Sequence, residues 1–204
     1  MTLFLLALVW FQGHAQQAFE GTLFIEVLSA DSSEIPKMDF EVKLKGSMAR
    51  MNIHSENLED YSLIVNYETG ESIMLKTHNG EKIAVRGTKS LAEVGTFSPE
   101  NAKLKKVAGY NCRKGKMTTN DGSSVVYYST AFNSSAQFFG AYSNVPGLIL
   151  ELHLLKNGNE QIIRTKKLSK RKVKDEEFLV PSEYREMSSS EYLLLLPLFP
   201  ELLQ

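Results

Sequence analysis

The chain has 204 residues, 43% of them hydrophobic and 23% charged, with 23 Lys and Arg against 24 Asp and Glu. That length supports one well-buried core and leaves little room for a second full domain. A formal net charge of -1 offers no broad basic field of the kind that draws nucleic acid, so no nucleic-acid partner is expected.

The first residues, MTLFLLALVWFQGHA, form an apolar run that closes on small residues at Gly13 and Ala15. This pattern reads as a signal peptide over 1–15, cleaved after Ala15, which sends the mature chain to the periplasm or out of the cell. The basic residues that usually precede such a run are missing, as in a start that has been cut short. The run is also shorter than the ~20 residues a bilayer-spanning helix needs. No cysteine follows it, so a lipid anchor at the mature N-terminus is excluded. Cys112, the single cysteine, lies far too deep for that role and cannot form an internal disulfide.

From residue 19 onward the dominant period is two. In Met38-Asp39-Phe40-Glu41-Val42-Lys43-Leu44-Lys45 the apolar and charged residues strictly alternate, which predicts a half-buried antiparallel strand. Further strands are expected over 19–28, 48–54, 61–67, 72–77, 82–86, 110–119, 124–130, 148–155 and 161–168. Between them stand His78-Asn79-Gly80, Asn120-Asp121-Gly122 and Asn157-Gly158-Asn159, with Glu68-Thr69-Gly70-Glu71 a weaker fourth. Their Asn, Asp and Gly residues tolerate the positive φ of tight hairpins. Residues 88–101 have no clean period and read as a long connection with room for one helical turn. Residues 133–142 (NSSAQFFGAY) open with capping types and read as a short helix, whose Phe138 and Phe139 would pack on the sheet or plug its end. The expected fold is therefore mainly β: a single curved antiparallel sheet, a half-barrel with one or two short helices, over 16–188. An apolar tail follows over 189–204.

Candidate chemistry is sparse. A reactive Cys112 would need a depressed pKa and normally a histidine base. Strand alternation points Arg113 away from it, and His54, His78 and His153 fall on separate elements, so a buried strand residue is the expected role. No close pair of metal ligands, no nucleotide-binding glycine loop and no nucleophile-elbow motif occurs, so no metal or cofactor is expected and nothing positive supports an enzyme. The acidic residues fall mostly on outward strand positions, an ordinary solvated face. The sharpest charge feature is the basic run Arg164-Thr165-Lys166-Lys167-Leu168-Ser169-Lys170-Arg171-Lys172-Val173-Lys174. It suits anionic headgroups or an acidic partner, and equally an exposed edge strand whose lysines block edge-to-edge pairing, the preferred reading. The tail Tyr192-Leu193-Leu194-Leu195-Leu196-Pro197-Leu198-Phe199-Pro200 is too short and too proline-broken to span a membrane. Docking on the domain or peripheral contact with a membrane surface both suit it.

Four ordered landmarks resemble those of a large secreted bacterial family that carries a domain-of-unknown-function label and is related to the LolA/LolB-like lipoprotein-carrier fold. Lys45-Gly46 followed by Met48-Ala49-Arg50-Met51 is similar to its KG-x-(x)-R hairpin, and Gly109-Tyr110-Asn111-Cys112 to its GY-x-C strand start. Asn144-Val145-Pro146-Gly147-Leu148-Ile149-Leu150-Glu151 resembles its G-x-P-L-x-x-E segment and the GLPGLI signature of a sister family. Phe178-Leu179-Val180-Pro181 through Tyr184 and Met187 is similar to its closing F-x-VP-x-x-Y-x-x-M. Where the family commonly has a tryptophan after the GY-x-C element, Tyr127-Tyr128 stands here. The resemblance implies a curved antiparallel sheet around an apolar cavity, covered by short helices or loops, of the kind that LolA-like carriers fill with acyl chains. With strand alternation, Phe40, Val42, Leu44, Leu63, Val65, Leu150 and Leu152 would line that cavity, or form a dry core if there is none. The expected function is a non-enzymatic cell-envelope protein binding a lipid or lipoprotein acyl chain. The alternative is an envelope module that engages a protein partner through a sheet edge or the basic run.

Overall fold

A computed structural model of the chain describes residues 19–29, 38–55, 59–88, 94–120, 122–133, 140–156 and 159–195. The segment 1–15 expected to be a signal peptide, Phe138 and Phe139, and the tail beyond 195 lie outside the described residues. Among the described residues thirteen strands follow one another: β1 (Gly21–Ser29), β2 (Met38–Lys45), β3 (Met48–Ser55), β4 (Tyr61–Asn66), β5 (Glu71–His78), β6 (Glu81–Thr88) and β7 (Thr96–Pro99). Then come β8 (Lys105–Val107), β9 (Tyr110–Thr119), β10 (Gly122–Ser129), β11 (Leu148–Lys156), β12 (Asn159–Ser169) and β13 (Arg185–Ser188). The described residues also form two 3-10 turns, Gly140–Tyr142 and Asp175–Phe178, and one short helix, α1 (Ser189–Leu195). All ten strands expected from alternation are present within two or three residues of their expected ends.

The strands make one large open sheet, curved in the manner of a half-barrel, in the order β13-β6-β5-β4-β3-β2-β1-β12-β11-β10-β9-β7, with β8 paired to β9 off this path. Two hairpin meanders therefore meet where β1 pairs with β12. Every pairing is antiparallel except that of β13 with β6. The reason is the route of the chain: residues 170–184 cross one face of the sheet and deliver β13 to the edge strand running the same way as β6.

Turn chemistry sets the hairpins. Asn79 and Gly80 have φ of 50° and 80° between paired His78 and Glu81, the two left-handed residues of a tight two-residue turn. Ala108 and Gly109 repeat it at φ 48° and 86° between Val107 and Tyr110.

Three expectations change. Within 88–101, residues 96–99 pair with β9 as an edge strand rather than forming a connection. Phe97 explains this, because it packs edge-on against Tyr128 at 5.4 Å and its ring fills the space a side chain at Gly115 would take. Within 133–142, residues 140–142 make only one 3-10 turn. The basic run is not an edge, since β12 sits between β1 and β11.

Candidate functional site

The sheet has two chemically different faces. On one, register aligns Leu168, Leu23, Val42, Met51, Leu63 and Met74 across six successive strands, continuing through Val85 to Met187. From its half-buried start at Leu168 the row is buried at Leu23 and Val42 and again at Val85 and Met187, and only half-buried between them, at Met51, Leu63 and Met74. Met38, Phe40 and Tyr61, on the same face, are half-buried as well. Of the residues expected to line a cavity or core, Val42, Leu44, Val65, Leu150 and Leu152 are at most 1% exposed. Phe40 and Leu63 stand at the half-buried middle. All but Leu152 belong to one cluster joining β1–β4 to β8, β9 and β11, and Leu152 belongs to the neighbouring cluster around Met117 and Val126. The burial of one such side chain is worth about 1.5–3 kcal/mol, so these two clusters dominate the stability of the fold.

The opposite face carries Lys45, Gly46 and Arg50 together with Phe178, Pro181 and Tyr184, and these two distant segments meet. The Arg50 Nη1 donates to the Glu177 carbonyl at 3.0 Å while its Nε donates to Asn52 Oδ1 at 3.0 Å. Lys43 pairs with Glu177 at 2.8 Å and Lys45 with Asp175 at 2.7 Å. Phe178 is buried with Val173 on Ile64, Leu75 and Ala84, and Val180 and Tyr184 pack against them. The Tyr184 N–H donates to the Pro181 carbonyl at 3.0 Å. Gly46, at φ 56°, makes the turn that brings Lys45 and Arg50 onto the same surface. These residues form a brace that straps 170–184 across β2 to β6.

Gly109, Tyr110, Cys112 and Pro146 do not join them. Tyr110 stacks edge-on with Phe132 at 5.0 Å, Phe132 does the same with Phe19 at 5.2 Å, and the Lys170 ammonium lies over both Tyr110 and Phe132. Pro146 is exposed in the loop before β11. Cys112 is fully buried, its Sγ 3.6 Å from the Tyr110 carbonyl, and burial pushes its thiol up to about 11. A thiol so placed is a weak nucleophile at neutral pH. His54, His78 and His153 stay apart. His54 meets Asp60 at 2.7 Å, His78 stacks on Tyr192, and His153 lies between two carboxylates.

Those two carboxylates belong to the feature that sequence reading passed over. Glu151 is fully buried, against the expectation of acids on a solvated face. Its Oε1 accepts from Lys105 Nζ and from His153 Nε2, each at 2.5 Å, and its Oε2 accepts from Arg164 Nε at 2.7 Å. The other His153 nitrogen, Nδ1, lies 2.8 Å from Glu160, and the Tyr127 ring is flanked by Lys105 at 4.5 Å and His153 at 5.5 Å. Burial alone would raise the Glu151 pKa, but the hydrogen bonds from Lys105, His153 and Arg164 outweigh it and hold the carboxyl below its usual range. Both oxygens are occupied by donors from β8, β11 and β12, so the group ties three strands together. The sequence held a signal for it: an acid straight after Leu148-Ile149-Leu150, on a strand beside the arginine of the basic run.

That run divides by strand face. Arg164 serves Glu151, Lys166 pairs with Asp39 at 2.7 Å, and Lys170 caps the aromatic pair. Its remaining cations line a surface cavity of about 470 Å³ between β1, β2 and the brace.

No protein-family model and no curated protein matches the chain. Solved structures do. An uncharacterized conserved protein from Thermus thermophilus aligns with a TM-score of 0.58 at 8% identity, over 84% of this chain and 91% of that one. PNGF-II, solved in space group C2, aligns with a TM-score of 0.53 at 15% identity over 87% of this chain. This chain spans only 32% of the length of PNGF-II. At such identities the likeness is one of fold alone.

Proposed function

We propose that the protein is a non-enzymatic, exported cell-envelope protein that binds an apolar or amphiphilic ligand, a lipid or lipoprotein acyl chain, along one face of its half-barrel sheet. The observation that carries this reading is the half-buried centre of the apolar row, Met51, Leu63 and Met74, with Met38 and Phe40 beside it. Three of these five side chains are methionines, which are flexible and polarizable and suit contact with chains of variable shape. Firmly buried clusters flank the strip on both sides, so a ligand would meet a preformed support. The apolar run over 1–15 supports export, and the ordered landmarks support kinship with lipoprotein-carrier-like families.

Native mass spectrometry of the protein purified without detergent from its own host tests the reading. A co-purifying lipid is expected with wild type and not with Met51→Gln/Met74→Gln, which keeps side-chain length but makes the strip polar. Repeated preparations of folded wild type free of any lipid would sink it.

A further inference from the structure

The half-buried strip leaves the other face of the sheet without a ligand, and there the charges are not balanced. Lys45, Lys82, Arg86 and Lys114 each pair with a carboxylate. Lys167, Arg171, Lys172 and Lys174 have no carboxylate at ion-pair distance among the described residues, and all four line the same cavity of about 470 Å³. The cavity's one acid, Glu177, is already held by Lys43 at 2.8 Å and by the brace. Its remaining polar wall is made by Thr22 and Ser169, directly opposite one another in the β1–β12 register. The floor is apolar, with Phe24 under the Lys167 ammonium and Val173 buried.

We propose that this cavity is a binding site for a phosphate-bearing anion. Four cations around one concavity repel each other unless an anion intervenes, and an apolar floor strengthens its attraction by lowering the local dielectric. Four unmatched charges exceed what a monocarboxylate neutralises and suit a group with more than one negative oxygen. The planar fork of Arg171 and the two hydroxyls complete a set of donors that fits phosphate oxygens. The brace builds the site: Arg50, Lys43 and Lys45 fix residues 175–177, and the Val173 N–H donates to Glu20 at 3.0 Å, so the 171–174 cations are held over β1 instead of splaying into solvent. Thr22 and Lys43 alternate with Leu23 and Val42 of the apolar row, so this site lies on the face away from the proposed acyl strip. Each can fail without the other.

The test is calorimetric titration of the full folded protein with inorganic pyrophosphate at low salt. A parallel arm sediments it with phosphatidylglycerol vesicles and with pure phosphatidylcholine vesicles. The variant Lys167→Gln/Lys172→Gln/Lys174→Gln is compared with Lys103→Gln/Lys106→Gln/Lys116→Gln, which removes the same charge from exposed lysines outside the cavity. The expected result is binding weakened at least about tenfold by the first and less than about twofold by the second. Pyrophosphate binding alone identifies a soluble phosphate compound. Binding to phosphatidylglycerol vesicles alone identifies a lipid headgroup, and binding to both identifies a phosphate site open to either. Absence of binding in both arms, or equal loss in the two variants, overturns the proposal.

Discussion

Replacing Glu151 by Gln keeps the shape of the side chain and removes its charge at the most enclosed ionic centre of the fold. In the wild type its two oxygens accept from Lys105, His153 and Arg164 within 2.7 Å. An amide offers one acceptor oxygen where there were two, and turns an NH2 group toward donors. Breaking a buried ion pair by removing one partner costs about 3–5 kcal/mol when the partner is left enclosed. Here the side chains of Lys105 and Arg164 are each 36% exposed and can turn partly to water, so the cost falls just below that range, about 2–3 kcal/mol. Urea unfolding followed by circular dichroism measures it, with an unchanged denaturant slope confirming that stability alone has moved. The pH dependence supplies the sign. The folded pKa of Glu151 lies below its unfolded value, so its contribution is fully present above ~4.3 and is lost as pH falls through the depressed folded value. The gap between wild type and Glu151→Gln should therefore be constant near neutrality and shrink under acid. A variant within about 0.5 kcal/mol of wild type, the spread of a neutral surface change, would refute the stabilising role of the Glu151 cluster, as would a gap that widens under acid.

Three further outcomes follow from the same geometry. Cys112 should resist iodoacetamide in the native protein at pH ~8 and react at once in urea, as read by mass spectrometry, because its thiol is fully buried and pushed up to about 11. Gly147→Ala should cost at least about 2 kcal/mol by thermal or urea melts, since a Cβ there would sit 2.4 Å from the Ser129 carbonyl oxygen at φ 156°. Leu44→Ala, at a site 1% exposed, should lose about 2–5 kcal/mol, and Leu63→Ala in the half-buried strip clearly less in the same melts.

The meander was legible because its strands are half-buried. Alternation such as Phe40, Val42, Leu44 against Glu41 and Lys43 states both the period and the face, and Asn79-Gly80 states the turn. What was hidden depends on partners remote in sequence. β7 has four residues and a proline, and only Phe97 docking beside Gly115 makes it a strand. The parallel β13 depends on the path of the brace, which no local pattern encodes. The basic run looked like an exposed edge because its lysines are charged. Its place beside β1 is a property of topology, and it leaves the long stems free to reach Asp39, Phe132 or the cavity mouth. Glu151 was hidden for the opposite reason: strand alternation assigns a face, and whether that face is wet is decided by β8, a three-residue strand carrying Lys105.

The seam between β1 and β12 has a consequence in time. The hairpins from β2 to β6 can form as soon as each strand is made, but the partner for the second edge of β1 begins only at Asn159. At ~5–20 residues per second of synthesis the backbone of β1, with Leu23, Ile25 and Val27 along it, waits on the order of ten seconds with one edge unpaired. During that wait any other extended chain can occupy it. The step most exposed to misassembly is therefore the joining of two nearly finished halves, and a chaperone that shields a single nine-residue strand would protect the whole sheet.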